Sequence, residues 1–424
     1  MQRDPLAYFV DLPRRYGGFV PMRLGPIRYV NLSDADLIEQ VLVDDAAGYK
    51  KGIALERARV VLGDGLLTSE GDVHRRQARL IAPAFSRRRI VGYAPIFRRI
   101  TEETTAAWRD GDVIDIAAEM TRLTLRIVVA ALFGQGLDPA AADRVGRALT
   151  HVLEDFEWLV KHPLGPLRGR IPTPRVRRFR AARAVIDTTV DQLIATRSDT
   201  AGSGDDLLSV LLAARDDDGS LISDAQLRDE AITLLIAGHE TTASWLSFTW
   251  LALADRPDVE ARLHAEIDQL ADEPVTLERA ERLPYLRAVL EETLRLYPPA
   301  WGIGRRAVDQ RALGRHTVEK GAVVSICQYV MHRHPNHWPD PERFDPDRWL
   351  AGRPPGLPRG AFFPFSDGPR RCIAEHFARA EALIAVATVA GAWSLEHAGT
   401  AIGELDARVT LRPRGRLRMR ARQR

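Results

Sequence analysis

Cysteine is almost missing from this chain of 424 residues: there are two, Cys327 and Cys372. Two thiols cannot staple a chain of this length, and no CxxC pair is present to hold structural zinc. The chain therefore reads as intracellular and cytoplasmic, and a thiol that matters here matters for chemistry or for a metal. Lysine is scarce as well, with four (Lys50, Lys51, Lys161, Lys320) among 60 basic residues, an arginine bias that reads as codon composition. A charge of one sign is lacking: 60 basic residues face 57 acidic ones, leaving +3, so there is no polybasic signature of a nucleic-acid partner. No run approaches the ~18 apolar residues that a membrane span requires. The opening MQRDPLAYFVDLPRRYGG interrupts its apolar patch with Asp11, Arg14 and Arg15, so it reads as neither a signal peptide nor a membrane anchor. What is present is 45% hydrophobic and 28% charged residues, enough apolar matter for a large core.

The first ~35 residues carry Gly, Pro and β-branched runs that predict small strands. A small β-rich part over about 15–45 then gives way to a helical bulk over about 46–424, with no linker or repeat to divide 1–424 into more than a single domain. Helical spacing recurs through 72–92, 95–108, 114–133, 140–160 and 176–197. The Pro/Gly/Arg-rich stretch 162–175 reads as a stiff exposed loop, and 198–206 and 216–220 as turn-rich breaks. The clearest helix runs from Ser223 to about Ala254. Ser223-Asp224-Ala225-Gln226 has the form of a capping box, and Asp255-Arg256-Pro257 stops the helix. At 1.5 Å per residue it spans ~48 Å, and its apolar circumference places it in the middle of the domain. A second helix occupies 283–299, with Pro284 in its first turn. Short strands follow in HTVEKGAVVSICQ, then an irregular stretch over 332–371 and a last helix after Cys372. The fold class is mainly α with a small β part.

The segment Phe365-Ser366-Asp367-Gly368-Pro369-Arg370-Arg371-Cys372-Ile373-Ala374 puts a cysteine after a Gly/Pro turn, before a helix and beside two arginines. Helix amides and cations both favour thiolate, which can act as nucleophile or metal ligand. Ala237-Gly238-His239-Glu240-Thr241-Thr242 sits mid-way along the apolar central helix. There a Gly costs roughly 1 kcal/mol against Ala, and Thr hydroxyls compete for carbonyls one turn back, so a groove over a flat ligand is expected. Glu292-Thr293-Leu294-Arg295 puts an acid and a base on one helix face.

Together these segments resemble the cytochrome P-450 family. The cysteine loop matches F-x-x-G-x-R-x-C-x-G at Phe365, Gly368, Arg370 and Cys372, with Ala374 in place of the last Gly. The helix motif matches A-G-x-(D/E)-T-T, and Glu292 and Arg295 match E-x-x-R. Arg348, in Phe344-Asp345-Pro346-Asp347-Arg348-Trp349, matches the Arg that completes that lock. His74 matches the family's propionate-binding position in its C helix. Its partner four residues on is Ala78, which leaves Arg75, Arg79 or neither as the replacement. Arg305 matches a second propionate arginine, with Arg306 as its competitor.

The resemblance implies the P-450 fold, with a long helix over haem b, and a monooxygenase that inserts one oxygen atom of O2 into an apolar molecule. Cys372 would be the iron ligand. His74, Arg305 and Arg370 would neutralise the propionates, and Ala237, Gly238, Thr241, Pro364, Phe365, Gly368, Ile373 and Ala374 would line the haem. Glu240 and Thr241 would deliver protons. The chain ends about 50 residues after Cys372, so electrons are expected from a ferredoxin or flavodoxin with its reductase, docked on Arg87–Arg89 and Arg370-Arg371. Ile53, Leu55, Leu66, Leu67, Ala300, Trp301 and Ile303 would line an apolar pocket. A terpenoid is the preferred substrate, since GLLTSEGDVHRRQ and LYPPAWGIGRR are similar to bacterial terpene-oxidising members; a fatty acid or polyketide also fits. The rival readings are a haem-thiolate peroxygenase or isomerase, against which the Glu240-Thr241 pair argues, and a non-enzymatic helical binding protein. Gly302-x-Gly304-x-x-Ala307 follows a proline-ended helix, not a βαβ unit, so it is no dinucleotide site. HExxH is broken by Ala243, and His332, His334 and His337 read as surface histidines.

Overall fold

A computed structural model describes the chain except residues 1–3, 135–137, 162–170, 199–205, 216–218, 220, 271–272 and 400–404. Most of the expected loop at 162–175 and the two turn-rich breaks therefore lie outside the described residues.

The axis of the fold is the helix Asp224–Ala254, 31 residues long. Ser223 caps it by accepting from the Gln226 N–H at 3.3 Å, as the capping pattern predicts. Every residue from Thr242 to Leu253 is buried, so this half is wrapped on all sides. The helix Ile116–Phe133 packs along it, and the two backbones come close at Gly238. A Cβ there would sit 3.2 Å from Val128 Cγ2. Helix packing against Val128 is thus a reason for Gly238 to lack a side chain that the motif itself did not announce.

The helix after the cysteine, Glu375–Ala392, is buried along most of its length. Its Phe377 ring meets Phe85, Tyr93 and Phe97 at centroid distances of 6.0, 5.7 and 4.9 Å, edge-on geometries that suit aromatic quadrupoles. Phe97 and Tyr93 come from the helix Arg87–Thr105. The periodic stretches 72–92 and 95–108 divide elsewhere than expected. The helices are Gly71–Ile81 and Arg87–Thr105, broken by a tight turn at Ala82–Phe85 with Pro83 inside it, while Pro95 lies within the second helix. A further helix, Pro5–Tyr16, stands where only strands were expected. Asp4 accepts from the Ala7 N–H at 3.0 Å, Pro5 takes the first position, and Gly17 at φ +83° ends it.

The main sheet has five strands in the order Phe19–Leu24, Ile27–Leu32, Val323–Ile326, Ile303–Ala307, Tyr49–Lys51. Ile27–Leu32 runs parallel to Val323–Ile326, and the other pairings are antiparallel. The register of the last pair sets Lys51 opposite Arg305. A separate hairpin, Leu405–Ala407 with Leu411–Pro413, reaches the central helix from the C-terminal side.

Candidate active site

The cysteine loop is held by its backbone before any side chain is considered. Phe363 O accepts from Ser366 N at 2.9 Å and closes a turn, and Phe365 O accepts from Cys372 N at 2.9 Å. Ser366 adopts φ +64°. Gly368 sits at φ +69° with its missing Cβ only 2.0 Å from Leu42 O, so only glycine fits. Gly368→Ala is expected to distort the loop, costing roughly 1–2 kcal/mol from the left-handed backbone alone with the clash in addition. Loss of cofactor from otherwise folded protein, read by absorbance, checks this.

Cys372 is solvent-accessible although it lies deep in the fold. Burial pushes its thiol up to about 11, against the hydrogen bond from the Ala374 amide and the charge of Arg371. The sequence expectation was that amides and arginines alone would favour thiolate. Desolvation outweighs them here, in part because Arg371 is engaged by Glu375. A bound metal cation would reverse the balance. A thiol that is solvent-accessible yet strongly desolvated by its surroundings fits a metal-bearing ligand. Phe365 lies beside it in sequence, its ring 6.1 Å from Trp245 of the central helix and under the Arg379 guanidinium at 4.9 Å. Ile373 and Ala374 pack partly buried against the main core.

The expected lock is present and larger than the motif. Glu292 and Arg295 are fully buried. Arg295 Nε and Nη2 donate to the two Glu292 oxygens at 2.8 and 2.7 Å, a bidentate geometry. Arg348 Nε lies 3.5 Å from Glu292 Oε1. Sequence reasoning missed two further donors to this carboxylate, Asp345 N and Trp349 Nε1, each at 2.8 Å. Trp349 stands where the family has Phe, so the substitution adds a bond. Arg295 also donates to His332 O, Pro341 O and Arg343 O at 3.0, 2.6 and 3.0 Å. His332 is therefore no surface histidine. It is wholly buried, and burial holds its imidazole well below the ordinary range.

On the opposite side the fold gathers cations around one point. Arg305, 4% exposed, points inward from its strand, with Nη2 3.5 Å from Ser366 Oγ. Its competitor Arg306 faces the other side and pairs with Glu56 at 2.9 Å. Arg370 donates to Ala46 O, Tyr49 O and Glu70 Oε2 at 3.0, 2.9 and 2.8 Å. His74, on the helix Gly71–Ile81, is pushed down to about 4 by burial and by Lys51 and Arg370. Lys51 is the residue that sequence reading missed. It is 5% exposed, and its Nζ donates to Leu66 O and Ser69 O, each at 2.7 Å. Burial pushes it down to about 7, with Arg370 and Arg305 adding repulsion and Glu70 opposing it. Burial, then Arg370, likewise pushes Arg305 down to about 10. Buried cations that depress one another fit an anionic ligand larger than the Glu70 carboxylate. Neither expected replacement at Ala78 enters this cradle as foreseen: Arg75 pairs with Asp72 at the surface, and Arg79 is exposed. The only signal for Lys51 in the sequence was the rarity of lysine itself.

In the central helix Thr241 Oγ1 donates to Ala237 O at 2.8 Å, Thr242 Oγ1 to Gly238 O at 3.2 Å, and Thr124 Oγ1 to His239 O at 3.0 Å. Three successive carbonyls thus take hydroxyl bonds. Glu240 turns to the terminal hairpin, where Thr410 Oγ1 donates to its Oε1 at 2.8 Å and Arg412 Nη1 lies 3.9 Å away. Burial raises its carboxyl against both partners. Arg412 and Arg408 are bridged by Asp406 at 3.3 and 3.0 Å. Trp301 Nε1 donates to Arg408 O at 2.9 Å. Thr410 and Arg412 were not legible as site residues.

The expected basic docking face is smaller than foreseen. Arg370 is turned inward, Arg87 is paired with Glu281 and Arg371 with Glu375. Arg88 is exposed and Arg89 half-buried. Among the described residues no cluster of three His, Cys, Asp or Glu could hold a metal, and no helix is long and apolar enough to cross a membrane.

The family model for cytochrome P450 matches residues 1–415. Cyclooctatin synthase of Streptomyces melanosporofaciens is 38% identical over 398 residues, 93% of this chain and 86% of that protein. Cyclooctat-9-en-7-ol 5-monooxygenase of the same organism is 37% identical over 93% of this chain and 85% of its own length. Pentalenene oxygenase of Streptomyces avermitilis is 36% identical, over 93% and 87%. The crystal structure of the cytochrome P450DA heme domain superposes with a TM-score of 0.89 at 28% identity, covering 99% of this chain and 93% of that one. A mainly helical fold, a deep thiol at the end of a locked loop and a cationic cradle beside it thus meet a match along nearly the whole chain: the protein belongs to the cytochrome P450 family and is a haem-binding monooxygenase.

Proposed function

We propose that this monooxygenase hydroxylates a terpenoid, with Cys372 as the iron ligand. When bound, the haem supplies the splitting of dioxygen and the insertion of one oxygen atom. The chain supplies the rest, acting as one catalytic domain over 1–424. Lys51, Arg305 and Arg370 would neutralise the propionates, with His74 beside them. Neutral His74 acts as a hydrogen-bond donor. Ala237, Thr241, Pro364, Phe365, Gly368, Ile373 and Ala374 line the flat ligand, while Glu292, Arg295 and Arg348 hold the meander behind it. Glu240 stores a proton and Thr241 presents it to the reacting face. Leu55, Leu66, Leu67, Trp301 and Ile303 offer the apolar surface that a terpenoid needs. Two relatives carry names for oxidation of cyclic terpene skeletons, and this supports a terpenoid over a fatty acid or polyketide. Electrons come from a ferredoxin or flavodoxin in the cytoplasm, drawn to the face that carries Arg88.

The single observation that carries the reading is the reachable, deeply set Cys372 thiol at the end of its locked loop. The carbon monoxide difference spectrum of the reduced protein tests it: thiolate ligation gives its long-wavelength band, and Cys372→Ala removes it. A band retained in that variant would sink the proposal. Spin-state shifts across a panel of terpenes, fatty acids and macrolides then rank the substrates.

Thr410 tunes the acid. Its hydrogen bond stabilises the Glu240 carboxylate, as does the nearby Arg412 charge. Thr410→Val therefore raises the carboxyl further, and the limb of the pH–rate profile that belongs to Glu240 moves to higher pH. The same measurement on Arg412→Met is expected to move that limb in the same direction, and on Glu240→Gln to abolish it.

A further inference from the structure

The lock and the cysteine loop are separate in sequence, and two side chains join them. Gln328–Met331 forms a single short turn of helix, and His332 follows it with its N–H on Gln328 O at 2.8 Å. Both Gln328 and His332 are wholly buried. His332 Nε2 accepts from Phe363 N at 3.1 Å, and its Nδ1 donates to Leu294 O at 3.4 Å. This fixes the neutral tautomer with the proton on Nδ1, in keeping with the depression of its imidazole by burial. Gln328 Nε2 donates to Phe363 O at 2.8 Å and to Pro364 O at 3.2 Å. One side chain therefore holds the N–H of Phe363 and the other its carbonyl. That carbonyl also takes Ser366 N, and the next link, Phe365 O, takes Cys372 N. On the far side the His332 carbonyl is bound by Arg295, the centre of the lock. The rings of Phe362 and Phe363 flank the imidazole at 4.8 and 5.5 Å.

We infer that His332 and Gln328 are positioning residues for the thiolate: they grip both sides of Phe363 and so set where the Phe365 carbonyl places Cys372. The lock alone cannot do this, because the hydrogen bonds of Glu292 and Arg295 reach no further along the chain than Trp349. The inference rests on the reading that Cys372 holds the iron, yet its test does not depend on that reading alone.

The experiment uses the haem-loaded protein and three variants. His332→Phe keeps a flat ring without an acceptor, His332→Gln restores one, and Gln328→Leu removes the donor to Phe363 O. Hydrogen exchange of peptides covering 362–374 is read together with the carbon monoxide difference spectrum. An unpaired buried N–H or C=O makes local opening easier, so exchange is expected to rise about tenfold or more in His332→Phe and Gln328→Leu. Peptides from Asp224–Ala254 stay protected. The difference band is expected to shift or split in the same two variants and to return in His332→Gln. If His332→Phe does not load haem, Gln328→Leu carries the test. Unchanged exchange and an unchanged band in Gln328→Leu, with the same result in any loaded His332→Phe, overturn the inference. A band that persists in Cys372→Ala instead overturns the iron-ligand reading, and leaves the exchange result standing as a statement about the loop.

Discussion

Glu292→Gln is expected to lower stability by about 3–5 kcal/mol, because it leaves the Arg295 guanidinium buried without its counter-charge. Glu292 accepts from Arg295 twice, from Asp345 N and from Trp349 Nε1, with Arg348 at 3.5 Å. Glutamine has one acceptor oxygen and brings an NH2 group toward donors. At least two of those donors lose their partner, and none of the environment can hydrate them, since both Glu292 and Arg295 are fully buried. An unfolding entropy near 2 cal/mol/K per residue converts the loss to a drop of roughly 3–6 °C in Tm for a chain of this size. Calorimetry at neutral pH checks the value. Arg348→Ala is the control. Its guanidinium is one contributor at longer distance, so its loss is expected to be well below that of Glu292→Gln. Equal effects from the two would mean that the lock works as a charge cluster rather than through the bidentate pair.

The same lock illustrates what a sequence can carry. Glu292 and Arg295 are three residues apart on one helix, so their meeting follows from helical pitch. The capping of the central helix at Ser223 and the stop at Pro257 are equally local, and both expectations held. The cysteine loop was legible because its backbone needs Gly368 at a positive φ, and that need is written in residue type. What failed was longer in range. The contact of Gly238 with Val128 comes from more than a hundred residues earlier, and no periodicity within the central helix contains that fact. Thr410 reaches Glu240 across 170 positions, and His332 was misjudged because its burial comes from Phe362 and Phe363 folding over it. The break between the helices ending at Ile81 and starting at Arg87 lies inside the stretch 72–92 that apolar spacing joins into one helix. Pro83 stands in the short turn and Ser86 leads into the next helix with extended backbone, whereas Pro95 is accommodated inside that helix.

Lys51→Met is expected to have opposite effects with and without haem. Lys51 is a nearly buried cation opposite Arg305 in the sheet register and close in charge to Arg370 and His74. Its ammonium is pushed down to about 7, from an ordinary value of 10.5. Between those two values the unfolded chain holds a proton that the haem-free fold does not, so the stability of the haem-free protein rises with pH across that window and is lowest below it. Removing the ammonium removes that penalty. In Lys51→Met the haem-free protein is therefore expected to be more stable at pH 6 than the parent, with a flatter dependence from pH 7 to 10, as read by urea unfolding. With haem bound the sign reverses. A propionate would add an anion beyond the single Glu70 carboxylate of the cradle, and a charge-assisted bond to it is worth about 1.5–3 kcal/mol. Loss of that bond is expected to speed haem transfer to a scavenging apoglobin by roughly 10- to 100-fold in Lys51→Met, while Arg75→Met, whose side chain pairs at the surface with Asp72, leaves the transfer rate unchanged. A cradle built this way is unfavourable until its ligand arrives. Equal transfer rates for Lys51→Met and the parent would show that His74, Arg305 and Arg370 hold the propionates without it.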